Sequence, residues 1–266
     1  MQDLIISLVQ VSIEWENPAA NRTRFEKLIQ AHYMQSDVFI LPEMFTTGFS
    51  MNDSVVEKYS QSSPTITWMK KLAKEKNAAI CGSIILEENG ERMNRFVWVD
   101  SEQVVTYDKH HLFGYGNEHK YFKSGKDRVI IDYKGWRILP QICYDLRFPV
   151  FSRNSWKEDR AEFDLMIYAA NWPDARIHAW DALGLARAIE NQSYVALVNR
   201  MGTDGSELNY VGHSALIDAN GTYAISPVDE SEGIFTEVIS YEKLVRFRER
   251  FPLLKDADGF SLKTDS

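Results

Sequence analysis

The sequence predicts one α/β domain, with helices outside two packed, mixed sheets. Two observations predict it. Short apolar strands alternate with helical stretches in the first third of the chain, and again after Cys143. Hairpin signals stand between those two regions. Alternation puts helices on the faces of a sheet, and interposed hairpins make that sheet mixed or divide it in two. The domain is read over residues 1–266, with a polar tail after about residue 252.

Each element has its own reason. Leu4 to Ile13 is rich in Ile, Leu and Val and reads as a strand buried on both faces. Asn17-Pro18 starts a helix, an N-cap followed by proline at the first helical position. Phe25, Leu28, Ile29 and His32 then recur at helical spacing. Val38 to Leu41 is a short strand that ends at Pro42-Glu43. Ser63-Pro64 opens a second helix, with Ile66, Met69, Leu72 and Ala73 inward, and Ala78 to Leu86 is the next strand. Phe96 to Asp100 and Val104 to Asp108 flank Ser101-Glu102-Gln103 as a hairpin. Val129 to Tyr133 and Trp136 to Ile142 form another across Lys134-Gly135.

After Ile142 comes Cys143-Tyr-Asp-Leu-Arg147-Phe-Pro149, where Pro149 suits the first turn of a helix. Asp164 to Ala170 is a strand that ends at Asn171-Trp172-Pro173. His178 to Asn191 is a helix, with Ala182, Leu185, Ala186 and Ile189 predicted inward. Tyr194 to Asn199 is a strand, and Ser214 to Asp218 with Thr222 to Ser226 is a hairpin over Asn220-Gly221. Ile234 to Ile239 and a charged helix, Tyr241 to Arg250, complete the pattern.

Composition bounds the function. The 266 residues are 44% hydrophobic and 26% charged, ordinary values for a soluble globular protein. Net charge is −8 and no basic cluster stands out, which argues against nucleic acid and anionic membrane as partners. Two cysteines, Cys81 and Cys143, are too few for a disulfide framework and indicate a reducing compartment. The first residues carry no basic leader, and no apolar run reaches the length of a membrane span, so the expected location is the cytoplasm.

Three polar residues each stand just past the end of an apolar strand: Glu43, Lys109 and Cys143. Sites in open α/β sheets form outside strand ends. If these ends share an edge, a carboxylate, an ammonium and a thiol converge. A carboxylate takes the proton of a thiol that is otherwise a weak nucleophile at neutral pH. An ammonium stabilises the oxyanion formed when a carbonyl is attacked. Taken singly, each residue has a plainer reading: Cys143 as a small buried hydrophobe, Glu43 and Lys109 as solvated loop charges. His110, His111 and His119 beside Glu118 lack an HExxH spacing or a cysteine ligand, so no metal is expected, and the three histidines are read as surface residues. Cys81, mid-strand, is read as core.

The three segments together resemble a known family. Glu43 in Leu-Pro-Glu-Met-Phe, Lys109 in Tyr-Asp-Lys-His-His-Leu-Phe and Cys143 in Gln-Ile-Cys-Tyr-Asp-Leu-Arg-Phe-Pro are similar to the Glu-Lys-Cys triad of the nitrilase, or carbon–nitrogen hydrolase, superfamily. The resemblance runs from Leu4 to about Phe235. It implies an α-β-β-α sandwich, usually extended by dimerisation through the face near the cysteine, and hydrolysis of a non-peptide C–N bond. It implies Cys143 as nucleophile, Glu43 as general base and acid, and Lys109 with the backbone N–H of Tyr144 as the oxyanion site. Glu118 matches a second family glutamate that orders the site. No cofactor is implied.

The same resemblance suggests the substrate. Arg147 matches an arginine that holds the substrate carboxylate in relatives that cleave carbamoyl amino acids; its other reading is a salt bridge to Asp145. Asn171 and Trp172 match a loop that lines the pocket, and Phe45, Phe113 and Tyr115 follow catalytic strands and are expected to narrow it. Glu-Met-Phe-Thr-Thr-Gly-Phe-Ser-Met, Ala-Asn-Trp-Pro and Asn199-Arg200-x-Gly202-x-Asp204 look most like the omega-amidase branch, which deaminates 2-oxoglutaramate and 2-oxosuccinamate. A small-molecule amide is thus the expected partner. An N-carbamoyl amino acid amidohydrolase and a catalytically silent binding or scaffold relative stay open beside it.

Overall fold

The computed structural model describes residues 2–259 and 261–262. Its strands form two large mixed sheets. In the first, the order is Gly233–Ile239, Leu4–Gln10, Val38–Ile40, Ala79–Glu88, Glu91–Val99 and Val104–Asp108, with Glu57–Lys58 also paired to Ala79–Glu88. In the second it is Met201–Thr203, Asn209–Ile217, Tyr194–Asn199, Leu165–Ala170, Trp136–Ile142 and Ile131–Tyr133, with Tyr223–Asp229 beside Asn209–Ile217. The central strands of each sheet are parallel, and the flanking ones antiparallel.

Period-two alternation assigns the faces. Leu4, Ile6 and Leu8 share an inner core with Ile138, Leu165, Ile167, Ala196 and Val198 of the other sheet. Val9, Phe39, Ile80 and Val97 point outward, onto α1 (Pro18–Ala31) and α2 (Pro64–Lys76). Leu139, Met166, Tyr168 and Leu197 point outward on the opposite side, onto Trp180 and Ala188 of α3 (Ile177–Asn191). The result is the layered α-β-β-α arrangement. Cys81 belongs to the inner core, as its mid-strand position predicts.

The helix starts follow the sequence. The Asn17 side chain accepts from the Ala20 N–H, and Pro18 and Pro64 each stand at the first helical position of α1 and α2. Two expectations fail. Pro149 does not open an α-helix; Cys143–Arg147 is a five-residue 3-10 helix, and Phe148, which precedes the proline, leaves the helical region at φ −114, ψ 88. The inward face of α3 is also misassigned. Its buried residues are Trp180, Gly184, Arg187, Ala188 and Asn191, whereas Ile189 is 51% exposed. Gly184 explains the rotation: a Cβ there would stand 2.4 Å from Leu197 Cδ1, so the helix lies against the sheet at its smallest residue.

Helix α4 (Tyr241–Arg250) sits beside the sandwich, with Arg248 Nη1 2.6 Å from Asp164 Oδ1. Of the polar tail, Leu253–Lys255 makes a 3-10 turn with Leu254 buried; residues 260 and 263–266 lie outside the described residues.

Candidate active site

Glu43 stands three residues beyond Val38–Ile40, Lys109 directly after Val104–Asp108 and Cys143 directly after Trp136–Ile142. These ends share one edge of the sandwich. Lys109 Nζ donates to Glu43 Oε1 at 2.8 Å and to Glu118 Oε2 at 2.9 Å, and all three side chains are fully buried. The plain reading of Glu43 and Lys109 as solvated charges is therefore excluded. Lys109 and Cys143 both line a cavity of about 360 Å³. A larger groove of about 740 Å³, under the C-terminal segment, contains none of these groups.

The polar cluster is tied to the sheet below it. Asn94 Nδ2 donates to Glu43 Oε1 at 2.8 Å and to Glu118 Oε1 at 3.0 Å, while its Oδ1 accepts from Ser83 Oγ. Ser83 Oγ in turn accepts from the Met44 N–H. Asn171 N–H donates to Glu43 Oε2 at 2.8 Å, and Asn171 Nδ2 to the Glu43 carbonyl at 2.7 Å. Glu43 Oε2 accepts from the Asn171 N–H and keeps a lone pair that can take a proton. Among the described residues, Asn171 Oδ1 is buried without a hydrogen-bond partner.

Charge follows from the geometry. Burial works against the Lys109 ammonium, but Glu118 and Glu43 outweigh it and hold the amine well above the usual lysine range. Burial pushes the Glu118 carboxyl up, and Lys109 opposes it. Burial and then Glu43 push the Cys143 thiol well above its usual value, with Lys109 pulling the other way. Burial thus favours the protonated thiol, beside an ammonium held by two acidic side chains.

Cys143 adopts φ +43, left-handed backbone that an L-residue with a side chain rarely takes. Asp145 holds that turn. Its Oδ2 accepts from Ile142 N–H at 3.0 Å and from Tyr107 O–H at 2.8 Å, and its Oδ1 from the His111 N–H at 2.9 Å. Burial and the Asp145 charge keep the Tyr107 hydroxyl protonated, so it remains a donor. Asp145 thereby joins the cysteine turn to the segment that carries Lys109. Tyr144 is in the first turn of the 3-10 helix, where an N–H has no partner inside the helix.

The structure corrects several expectations. Phe45 does not line the cavity. It is fully buried between sheet and helices, with ring centroids 5.5 Å from Phe25 and 5.9 Å from Trp68. Met44 at φ +42 turns the chain so that Phe45 points into the core, and Phe49 reaches the cavity instead. Arg147 makes no ion pair with Asp145, whose oxygens are taken; its guanidinium lies 4.7 Å over the Trp172 ring. His110 and His111 are partly buried, stacked on Phe151 and Phe148, because the Lys109 segment packs against the turn after the cysteine. Trp172, Asn171, Phe113 and Tyr115 do line the cavity.

Sequence reasoning missed Asn94, Arg176, Tyr210 and the bridging part of Asp145. Asn94 left a signal, a lone amide in the apolar run Met93 to Val99. Arg176 and Tyr210, which line the cavity, meet it only through tertiary folding.

A two-sheet sandwich that sets the Lys109 amine and the Cys143 thiol on one small cavity, with Glu43 buried against the amine, is the setting in which comparison with known proteins places the chain among hydrolases. The chain belongs to the carbon–nitrogen hydrolase family, whose model matches residues 5–249. It is 41% identical to omega-amidase YafV of Yersinia enterocolitica, over 98% of this chain and all of that one. It is 32% identical to 2-oxoglutaramate amidase of Bacillus subtilis, over 94% of this chain and 96% of the relative. Among solved structures it resembles XC1258 from Xanthomonas campestris, a CN-hydrolase superfamily protein with an arsenic adduct in its active site. The TM-score is 0.94 at 45% identity, covering 99% and 100% of the two chains.

Proposed function

We propose that this chain is an omega-amidase, a single-domain cytoplasmic enzyme that hydrolyses the terminal amide of a short, carboxylate-bearing amide such as 2-oxoglutaramate. The observation that carries the reading is Lys109 locked between Glu43 and Glu118 beside the Cys143 thiol. The named omega-amidase and 2-oxoglutaramate amidase relatives support the substrate class.

In this account the Cys143 sulfur attacks the amide carbon while its proton passes to Glu43. Because the thiol is held protonated at rest, proton transfer accompanies attack. The oxyanion is met by Lys109 and the Tyr144 N–H, both fixed before the substrate arrives. The unpartnered Asn171 Oδ1 accepts from the substrate's amide N–H. Collapse expels ammonia with the proton from Glu43 and leaves a thioester. Water, deprotonated by Glu43, attacks the thioester, and the thiol leaves reprotonated as the carboxylic acid product departs. Glu118 and Asn94 keep Lys109 and Glu43 in register. Trp172 forms one wall, and Arg147, stacked on it, takes the substrate carboxylate.

Two copies pair through the face near the cysteine. Val150, Ile189 and Phe251 are 58%, 51% and 56% exposed. Arg153, three residues after Val150, bonds the Glu190 carbonyl, and Gln192 bonds the Phe251 carbonyl, so the three lie on adjoining segments.

The reading is tested by ammonia release over a panel of short amides. Acidic monoamides of four or five carbons are expected to outpace butyramide by two orders of magnitude or more in kcat/KM, on the order of what an unmet charge costs. Equal rates for butyramide would defeat the substrate assignment. Carbon dioxide released with the ammonia from a carbamoyl amino acid would favour the carbamoyl alternative.

A further inference from the structure

We infer that Arg176 is a second specificity-determining residue, which together with Arg147 grips the 2-oxo acid end of the substrate. The inference rests on the reading that this site hydrolyses carboxylate-bearing amides, and goes beyond it in saying which residues recognise the 2-oxo group.

Both arginines line the cavity that holds Lys109 and Cys143. Each guanidinium lies over an aromatic wall, Arg147 4.7 Å from the Trp172 ring centroid and Arg176 5.4 Å from that of Phe113. Among the described residues neither forms a salt bridge with a carboxylate, and Asp145, the nearest acid in sequence to Arg147, is already saturated by Tyr107, Ile142 and His111. The two are also tied to one element. Arg147 stacks on Trp172, and the Trp172 indole N–H donates to the Arg176 carbonyl at 2.8 Å. Trp172 is itself held by a pair of bonds to Asn199, 2.8 and 2.9 Å. Asp204 also lines the cavity, but its oxygens accept from the Tyr210 hydroxyl and the Ser206 and Leu208 N–H groups and, among the described residues, pair with neither arginine, so a wall with two such fork-shaped cations is complementary to an anion.

Counting acceptors narrows that anion. A lone carboxylate presents two oxygens, which one guanidinium fork satisfies. A 2-oxo acid presents three oxygens at one end of the molecule, the carboxylate pair and the ketone. A second fork gives the third oxygen its donor. An enzyme made only for a simple carboxylate has no use for Arg176 in the cavity. One that must prefer the 2-oxo acid to its deoxy counterpart does, because a site built to donate to an oxygen discriminates against the ligand that lacks it.

The test compares kcat/KM for 2-oxoglutaramate with that for the monoamide of glutaric acid, which has the same length and carboxylate but no ketone. Wild-type enzyme is expected to prefer the 2-oxo compound. Arg176→Gln should cut the ratio of the two values by about ten- to a hundred-fold, the worth of a hydrogen bond from a charged donor. The loss should appear chiefly in KM for the 2-oxo compound and fall less heavily on the glutaric monoamide. Arg176→Lys, which keeps charge without the fork, should recover only part of the ratio. A ratio that stays at the wild-type value in both variants overturns the inference while the amidase reading stands. A wild-type enzyme indifferent to the carboxylate, with butyramide as good a substrate, overturns both. Partial exposure of Arg176 makes a folding defect an unsuitable explanation of a changed ratio, which a general loss of active protein does not move.

Discussion

The Asp145 carboxylate accepts the Ile142 N–H at 3.0 Å and so closes the turn on which Cys143 sits at φ +43. A buried acid two residues past the nucleophile therefore sets the direction of its sulfur without touching the cavity. Asp145→Asn replaces one acceptor oxygen by a donor that must face Tyr107, Ile142 or His111. The expected outcome is a lower kcat at nearly constant KM, with stability reduced by about 2–3 kcal/mol for the lost charged hydrogen bonds. Thermal melts and steady-state kinetics on one preparation check both.

Lys109→Met tests the electrostatic core. It leaves Glu43 and Glu118 buried side by side without a cation, at a cost on the order of 3–5 kcal/mol for breaking a buried ion pair. In the wild type the amine's folded value is raised above its unfolded one. Its stabilisation is thus fully present below the ordinary lysine value, about 10.4, and is lost only above it. Between pH 5 and 9 it should be flat. The variant should differ: its stability deficit should shrink as pH falls and Glu118, already pushed up by burial and now without Lys109 to oppose it, takes up a proton. A deficit independent of pH from about 4 to 8 would contradict this charge assignment.

Phe45→Ala and Phe49→Ala should separate core from cavity. Phe45 fills space against Phe25 and Trp68, so its removal should cost about 3–5 kcal/mol and leave KM unchanged in whatever protein folds. Phe49 faces the cavity and lies under the Lys109 ammonium, 5.5 Å from Nζ to ring centroid. Its loss should raise KM with a smaller fall in melting temperature. The reverse pattern in paired kinetics and melts would return Phe45 to the site.

The site's outline was legible in the sequence, its supports less so. Glu43, Lys109 and Cys143 announce themselves because each stands just past the end of an apolar strand. Phe45 was misplaced for a local reason: a left-handed residue at Met44 reverses which side of the loop faces the cavity, and nothing in Glu-Met-Phe reveals that. The α3 face was misread because apolar residues were assigned inward. Gly184 instead sets the closest approach to the sheet, and Arg187 buries its guanidinium to donate to the Leu146 carbonyl at 2.6 Å. Arg187 thus helps end the cysteine's 3-10 helix. Periodicity sees neither, since both depend on what lies across the interface.

Arg147→Lys should raise KM for acidic amides by about tenfold or more, because a point charge replaces a flat bidentate donor stacked on Trp172. Butyramide kinetics should not change. Equal KM values in variant and wild type for an acidic monoamide would remove Arg147 from the substrate's path.

Ile189→Glu puts a charge on the exposed apolar face beside Val150 and Phe251. Sedimentation is expected to find a dimer for the wild type and a monomer, or a dimer weakened by two orders of magnitude or more, for the variant. A wild-type monomer at micromolar concentration would contradict pairing through this face.

The most direct measurement is ammonia release by Cys143→Ala on the best acidic amide, with protein that melts like wild type. Without the sulfur no acyl-enzyme forms, and turnover should fall at least a thousandfold, on the order of what removing a covalent nucleophile costs. Activity above about a thousandth of wild type would mean that water reaches the amide carbon unaided, and the thioester route would have to be given up.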